Sequence, residues 1–316
     1  MLSFDFVDDM EVLLKVTNTH NVPAPLMTLA SRQYYSKGAS QYSVTELLSP
    51  PRVRRLREQY DAELTQDVAD MLWPLLGSAL HVVMERGATP GWISEERLFT
   101  EVDGVTISGQ IDLQEETPDG LILHDYKFTS VWAVMNDKVE WEEQLNLYGW
   151  LVQTVKKQKV AGLKICALLR DWSRHETSKP GYPQAQIHVL EIPLWDYDTA
   201  TKFVAERLDH HRESKVAHSW GDELPECSPQ ERWQSETTYA VKREGRKTAI
   251  RVFKTLEEAT QLAEKEKGYV ETRPGESKRC TGNFCGVAQF CGQFRASVAQ
   301  AERERSHGEE AESDLS

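Results

Sequence analysis

The fold of this chain is limited most by two tight-turn sequences that follow a change in hydrophobic period. Up to Arg86 the apolar residues recur at helical spacing, and Gly87 then predicts the end of a helix. Beyond it the apolar residues alternate, as they do along strands. Asp103-Gly104 is a strong hairpin signal, and residues 117–120 (Thr-Pro-Asp-Gly) are a second turn sequence. The strands that flank the two turns are therefore predicted to form a three-stranded antiparallel meander.

Helices and further strands are predicted on both sides of the meander. Residues 65–86 are predicted to form a helix interrupted near Pro74, and residues 140–156 carry apolar side chains at helical spacing. A strand (GLKICALLRDW), another strand (QIHVLEIPL) and a helix capped by Asp198 follow. The order αβββαβ predicts an α/β fold, a mixed sheet flanked by helices, over residues 42–215.

The composition changes after the last helix of this core, which indicates a second module over residues 216–298. It is predicted to carry four cysteines and a small α+β insert. The insert is a hairpin that turns near Glu244-Gly245, followed by a short helix that begins with a capping box at Thr255. The ends of the chain are an N-terminal segment, residues 1–41, and an acidic tail, residues 299–316, that is expected to be disordered.

The second hairpin of the meander brings two aspartates together. If residues 117–120 close a tight two-residue turn, Asp112 lies directly opposite Asp125. Opposed side chains of an antiparallel pair are about 5 Å apart at Cβ, and like charges there destabilise the sheet. Lys127 follows two residues after Asp125 and shares its face. A divalent cation between the carboxylates would offset their repulsion, and Lys127 would orient an attacking water, as metal-assisted phosphodiester hydrolysis requires.

An Asp-x-Lys sequence on one strand is weak evidence by itself, because two exposed residues in a salt-bridge network give the same pattern. Three further features favour the cation site. Gly77 and His81 share a face of the preceding helix. Gln144 and Tyr148 share a face of the following helix. The order of the elements is the third feature.

As a set, these motifs resemble the RecB-like nucleases of the PD-(D/E)XK superfamily. In their linear order they are most similar to phage-encoded relatives of the CRISPR-associated RecB-family exonucleases. They fall between residues 42 and 195, about half of the chain. The matching sequences are Gly77-x3-His81, Gly109-x2-Asp112, Asp125-Tyr126-Lys127 and Gln144-x3-Tyr148 within EEQLNLYGWL.

The resemblance implies a role for each matching residue. Lys127 would be the catalytic lysine, acting with the two aspartates, and Gln144 and Tyr148 would position the substrate. Because one metal ligand would be an imidazole, Mn²⁺ is favoured over Mg²⁺. The ligands of that ion would be His81, Asp112, Asp125 and the backbone carbonyl of Tyr126.

Four of the five cysteines are candidates for a metal clasp, that is, a metal site that holds the C-terminal module together. Cys166 lies in the apolar sequence LKICALLR and is predicted to be a buried core thiol. Four thiolates suit a 4Fe–4S cluster or tetrahedral zinc, and a module without metal is the third interpretation. The resemblance implies iron–sulfur, although related exonucleases place the first cysteine before the nuclease core. The four candidates are Cys227, Cys280, Cys285 and Cys291.

The overall charge limits how the chain can meet DNA. The net charge is −13, so any DNA contact must be local rather than a basic coat. Arg52, Arg54, Arg55 and Arg57 form the densest basic patch of the first half, either a solvated helix face or a DNA-backbone contact. Neither a membrane-length apolar run nor a signal peptide is visible, which predicts the cytoplasm of a bacterium or of an infected cell.

The leading hypothesis is a Mg²⁺- or Mn²⁺-dependent deoxyribonuclease. It would be an exonuclease on DNA ends or single strands, in phage recombination, replication or DNA processing. The alternative is a catalytically inactive nuclease fold that binds DNA ends or serves as an assembly subunit. The presence of Asp112, Asp125 and Lys127 argues against it, because an inactive site does not need all three. A third hypothesis, a structural metalloprotein of the cysteine module alone, leaves the paired aspartates unexplained.

Overall fold

A computed structural model of the chain describes residues 15–31, 37–87, 89–136 and 138–300. The chain packs as two compact units. The first comprises the chain up to Ser49 together with Asp61–Trp220, and the second comprises Pro50–Tyr60 together with the chain from Gly221 onward. Most of the predicted acidic tail and the first part of the predicted N-terminal segment lie outside the described residues.

The elements are numbered along the chain. The strands are β1 (Lys15–Thr17), β2 (Tyr42–Ser43), β3 (Thr65–Asp67), β4 (Trp92–Val102), β5 (Val105–Thr117), β6 (Gly120–Thr129), β7 (Val160–Leu169), β8 (Ile187–Ile192), β9 (Thr238–Lys242), β10 (Arg251–Phe253) and β11 (Tyr269–Arg273). The α-helices are α1 (Ala24–Ser31), α2 (Val44–Leu48), α3 (Pro51–Gln59), α4 (Leu72–Glu85), α5 (Val131–Met135), α6 (Val139–Val155), α7 (Tyr197–Trp220), α8 (Leu256–Glu266) and α9 (Lys278–Thr281).

A mixed sheet forms the centre of the first unit, and its middle is the predicted meander. β4 and β5 pair antiparallel through the turn at Asp103-Gly104, and β5 and β6 pair antiparallel from Thr117 opposite Gly120. β6 then pairs parallel with β7, β7 pairs antiparallel with β8, and β2 adds a short parallel pairing to β5. The predicted α/β fold with a mixed sheet flanked by helices is therefore confirmed.

The core of this unit lies between the sheet and α6, which buries eight consecutive residues. Gly109 on β5 makes the close approach of α6 possible. A Cβ at this position would lie 2.6 Å from Leu151 Cδ1 and 3.0 Å from ring atoms of Tyr148. Because a larger residue would push the helix away, α6 lies directly over the strand that carries Asp112.

The region before the meander differs from the single interrupted helix that the sequence predicted. It forms β3, a 3-10 turn and then α4. Asp67 causes the break, because its carboxylate accepts hydrogen bonds from the N–H groups of Ala69 at 3.0 Å and Thr19 at 2.7 Å. Pro74 then lies in the first turn of α4, where a missing N–H is tolerated. α4, described throughout, buries none of its residues, yet no helix in the described ranges is long and apolar enough to cross a membrane.

The second unit contains the predicted α+β insert. β9 lies between β10 and β11 and is antiparallel to both. α8 packs on this small sheet through Ala259 and Ala263, which are buried against Val241. Thr255 begins the helix as predicted, by accepting a hydrogen bond from the N–H of Glu258.

The position of α3 differs from the sequence analysis, which assigned this helix to the core and its arginines to solvent or DNA. α3 belongs to the second unit. Arg52 and Arg55 are only 5% and 6% exposed, and Arg52 donates a hydrogen bond to the carbonyl oxygen of Leu224 at 2.7 Å. Tyr60, after the helix, stacks on Phe290 with 4.2 Å between ring centroids. Neither interpretation of the basic patch therefore holds for the two buried arginines.

Candidate functional site

Three carboxylates lie in one row across the meander. The register of β5 and β6 places Asp112 opposite Asp125, one step beyond the last paired residues of that ladder. The register of β4 and β5 is continuous except for one skipped pair, which is Glu95 with Asp112. Glu95, Asp112 and Asp125 therefore occupy neighbouring positions on three adjacent strands.

His81 on α4 approaches this row. Its Nδ1 lies 3.2 Å from a carboxylate oxygen of Glu95 and 3.6 Å from Oδ1 of Asp112. Among the described residues, His81, Glu95 and Asp112 are the one set of three potential ligands whose donor atoms all lie within 4.8 Å of one another. Gln110 donates a hydrogen bond to the other oxygen of Glu95 at 2.6 Å. One imidazole nitrogen and two carboxylates are donors that a divalent cation accepts.

Lys127 connects the row to α6. Its ammonium forms an ion pair with Oδ2 of Asp125 at 2.6 Å and donates a hydrogen bond to Oε1 of Gln144 at 3.1 Å. Gln144 in turn donates to the hydroxyl of Tyr148 at 2.9 Å. Tyr148 is 6% exposed. Its hydroxyl is therefore linked to Lys127 by the side chain of Gln144 and not by solvent.

Tyr126 takes part in the same network through its backbone N–H, which donates to Oδ2 of Asp112 at 2.8 Å. Its ring meets the ring of His81 edge-on, with 6.5 Å between centroids. The structure thus brings seven of the motif residues into one network of contacts: His81, Asp112, Asp125, Tyr126, Lys127, Gln144 and Tyr148. His81 and Asp112 lie in the close group with Glu95, whereas Asp125 lies at the end of the row that Lys127 occupies. The roles that the resemblance implies for these residues, including the carbonyl of Tyr126, stay predictions.

The concentration of negative charge changes the protonation of the site. Burial, and after it the charge of Asp125, raises the pKa of Asp112 to about 7. The hydrogen bond to Glu95 raises the pKa of the His81 imidazole. Both shifts favour a bound proton, because burial disfavours the charged form of Asp112 and the neighbouring carboxylates disfavour further negative charge. A cation bound at the same place would offset the negative charge of the row in place of the proton.

Glu95 was not among the residues that the sequence analysis selected, although the sequence contains a signal for it. Counting back from the first hairpin turn places Glu95 opposite Asp112, just as counting from the second turn places Asp125 there. The backbone of Glu95 has a φ of +52°, in the left-handed region that residues other than glycine rarely occupy. Backbone strain of this kind is found preferentially at functional sites.

In the second unit, four cysteines line one cavity together with the buried Arg52. Within the described residues, no three of their sulfur atoms lie within 4.8 Å of one another. Burial raises the pKa of one of these thiols, that of Cys227, to about 12. Cys166 belongs to β7 of the first unit and is half-buried, less than the sequence predicted. The four that line the cavity are Cys227, Cys280, Cys285 and Cys291.

Comparisons with known proteins give one family match and similarities to two solved structures. The sequence model of the PD-(D/E)XK nuclease superfamily matches residues 36–292. Among solved structures, the protein SSO0001 is similar over 58% of this chain and 81% of its own, with 19% identity and a TM-score of 0.38. A protein of Eubacterium rectale, provisionally named an exonuclease, is similar over 55% of this chain and 64% of its own, with 11% identity and a TM-score of 0.31. No curated protein sequence matches the chain.

Proposed function

This chain belongs to the PD-(D/E)XK nuclease superfamily, and from that membership we propose that it is a metal-dependent deoxyribonuclease acting on DNA ends or single strands. The observation that carries the proposal is the row of Glu95, Asp112 and Asp125, with Lys127 ion-paired to its last member. Three adjacent carboxylates destabilise a sheet unless a cation offsets their repulsion. By the order of its motifs the chain is a RecB-like exonuclease, and its setting is phage recombination, replication or DNA processing.

The residues present fit a divalent cation. His81, Glu95 and Asp112 each offer one donor atom, and these atoms lie within 4.8 Å of one another. Oδ2 of Asp125 is buried, and among the described residues it meets Lys127 as an ion pair without accepting a hydrogen bond. A mixed nitrogen and oxygen set of this kind accepts Mn²⁺ or Mg²⁺, with the imidazole favouring Mn²⁺. The proposed ligands are His81, Glu95, Asp112, Asp125 and the backbone carbonyl of Tyr126.

The proposed reaction adds water across a phosphodiester bond. The bond from the water oxygen to phosphorus forms, the bond to the leaving sugar oxygen breaks, and the proton lost by the water balances the one gained by the leaving oxygen. A bound divalent ion supplies positive charge for the phosphate in the transition state. Lys127 donates a hydrogen bond to the attacking water or to a phosphate oxygen and so orients it. Gln144 and Tyr148 act as positioning residues, because they hold the ammonium of Lys127 in place.

Cleavage assays test the proposal with end-labelled linear DNA and closed circular DNA, in Mg²⁺, Mn²⁺ or EDTA. We expect linear single-stranded or frayed DNA to be cut in the presence of metal, without strong sequence preference. A single sharp cut in the closed circle would contradict the exonuclease assignment. Complete inertness of the parent towards every substrate in both metals would support the DNA-end binding alternative instead.

Variants separate metal binding from chemistry. Asp112→Ala should lose both Mn²⁺ binding and cleavage. Lys127→Ala should bind Mn²⁺ like the parent in calorimetric titration, but its cleavage rate should be at least about 100-fold lower than that of the parent. His81→Ala should bind Mn²⁺ more weakly and keep partial activity at high Mn²⁺. The matched control is Lys159→Ala, which removes an exposed lysine. If Asp112→Ala and Lys127→Ala both cut DNA like the parent, the nuclease proposal is wrong.

For the second unit we propose a 4Fe–4S cluster held by the four cavity cysteines, with zinc as the alternative. The resemblance to the RecB-like exonucleases favours the cluster with four irons, and four thiolates also suit tetrahedral zinc. The buried guanidinium of Arg52, whose Nε finds no hydrogen-bond partner among the described residues, would offset the negative charge of the thiolates.

Metal analysis of anaerobically purified protein tests the cluster. We expect brown protein that contains iron and acid-labile sulfide. Colourless protein with stoichiometric zinc would replace iron by zinc and keep the four-cysteine site. Metal-free protein of normal thermal stability would contradict both the iron–sulfur and the zinc proposal.

A further inference from the structure

An exposed tryptophan lies on the helix that carries His81. Trp73 is 48% exposed near the start of α4. The guanidinium carbon of Arg170 lies 4.3 Å from the centre of the Trp73 ring, within the range of a cation–π contact. The ring of Phe128 lies 6.1 Å from it, tilted by 45°. A large ring left half in solvent beside an arginine suits a binding surface better than a packing element.

The helix α4 connects Trp73 with the carboxylate row. On α4, Trp73, Gly77 and His81 follow at intervals of four residues and share one face, over a length of about 12 Å. A Cβ at Gly77 would meet nothing within 4 Å, so the space along this face is open. Phe128 directly follows Lys127 in β6 and therefore lies on the opposite face of the sheet from Lys127, the face that meets the ring of Trp73. The exposed ring and His81, which lies beside the row, therefore share one face of α4.

We propose that Trp73, Arg170 and Phe128 form a nucleobase-stacking subsite for the single-stranded end of a DNA substrate, an inference that rests on the proposed nuclease function. An exposed aromatic ring stacks on any base without sequence preference, and the arginine adds positive charge for the phosphate backbone. The N–H of Arg170 donates to the carbonyl oxygen of Thr129 at 2.9 Å, which fixes this arginine at the end of β6.

The geometry selects unpaired nucleotides. Bases inside a duplex are covered on both faces by their neighbours, so a ring on an open helix face reaches only bases that have left the stack. At about 3.4 Å per nucleotide, a path of about 12 Å corresponds to three or four nucleotides of a stacked strand. The subsite therefore requires a single-stranded end of at least that length.

An exposed apolar helix face can also bind a protein partner instead of single-stranded DNA. Leu76 and Val83 of α4 are also exposed, at 41% and 59%. The arginine over the Trp73 ring decides between the two, because it makes this part of the face cationic and suited to an anionic ligand. A protein partner becomes an outcome of the test.

The test measures binding in EDTA, where a metal-dependent enzyme does not cleave, by fluorescence anisotropy at low ionic strength. The probes are a labelled oligothymidine, the abasic strand of equal length and a blunt duplex. Trp73→Ala should weaken the binding of oligothymidine by about tenfold, the loss expected for one stacked base, and leave the other probes unchanged. Trp73→Phe should restore most of the affinity. Trp220→Ala, which removes a tryptophan of α7 that is 80% exposed, should bind like the parent.

Three results would overturn the subsite: no binding of oligothymidine by the parent, unchanged binding by Trp73→Ala, or an equal loss for the base-containing and abasic strands. Unchanged binding would leave this face of α4 to a protein partner. Because the assay does not depend on cleavage, its failure leaves the nuclease proposal intact. Equally, a protein that binds oligothymidine through Trp73 but cleaves no DNA would support the subsite and contradict the nuclease proposal.

Discussion

Asp112 lies between two other carboxylates, and its pKa of about 7 in the folded protein compares with an ordinary value of 3.8. The folded state therefore holds this proton more tightly than the unfolded chain does. The stability that this group contributes is fully present below about pH 4 and is lost as the pH rises through about 7. The free energy of unfolding of the metal-free parent should consequently fall as the pH rises through this range, and that of Asp112→Asn should not.

In EDTA, we expect Asp112→Asn to melt at a higher temperature than the parent at about pH 8, with a smaller difference at about pH 5. The asparagine oxygen still accepts the N–H of Tyr126, so packing is kept. Each 1 kcal/mol gained corresponds to about 2–4 °C in Tm for a unit of this size. Circular dichroism melts measure the effect, with Asp119→Asn in the exposed turn as control. A difference between variant and parent that does not change with pH would contradict the prediction.

Glu95 offers a second test at the residue scale. Glu95→Gln keeps an acceptor for Gln110 but removes one negative charge from the ligand group. We expect Mn²⁺ affinity to fall by about tenfold or more in calorimetric titration. The pKa of His81, measured by NMR, should fall in metal-free protein, because the hydrogen bond to Glu95 raises it. Glu101→Gln, an exposed acid of the same strand, is the control, and unchanged Mn²⁺ affinity in Glu95→Gln would limit this residue to orienting His81.

Among the elements, the small sheet of the second unit has little hydrophobic core of its own. Its buried cluster consists of Val241, Ala259 and Ala263. Modules with so little apolar burial usually need a metal or a disulfide for stability, and the cysteines of the chain are free thiols. The metal clasp proposed for the four cysteines would supply this stability.

Replacing a cavity cysteine should therefore destabilise the protein more than replacing the half-buried Cys166. We expect Cys280→Ala, Cys285→Ala and Cys291→Ala to aggregate or to melt at lower temperature, and to lose the bound metal. Cys166→Ser should behave like the parent in both measurements. Thermal melts and metal analysis of the same preparations decide the point, and normal metal content in all three alanine variants would contradict the clasp.

Over the whole molecule, the net charge of −13 limits how many phosphates the protein can contact. Each phosphate contact on a single strand contributes about −0.7 to the slope of log affinity against log salt concentration. We expect a shallow slope of about −2 to −3 for single-stranded DNA, equivalent to three or four contacts. Anisotropy titrations at several salt concentrations measure it. A slope steeper than about −5 would show an extended basic surface that the charge does not predict.

The residues of the carboxylate row differ in how far the sequence could predict them. The turn at residues 117–120 sets the pairing of its two strands, so simple counting placed Asp112 opposite Asp125. Hairpin register depends on a few adjacent residues, which is why this step succeeded. Glu95 could have been found by the same counting from the first turn, but its left-handed backbone is visible only in the folded chain.

The sequence by itself determined the meander, the order of the elements, the pairing of the two aspartates and the small insert, because each depends on periodicity or on a turn within a short stretch of chain. Only the tertiary structure decided where α4 begins, which unit holds α3, and that four cysteines line one cavity. These depend on contacts between distant residues, such as Thr19 with Asp67 and Arg52 with Leu224, 48 and 172 positions apart. No local pattern contains such contacts, since they form only when separate elements pack together.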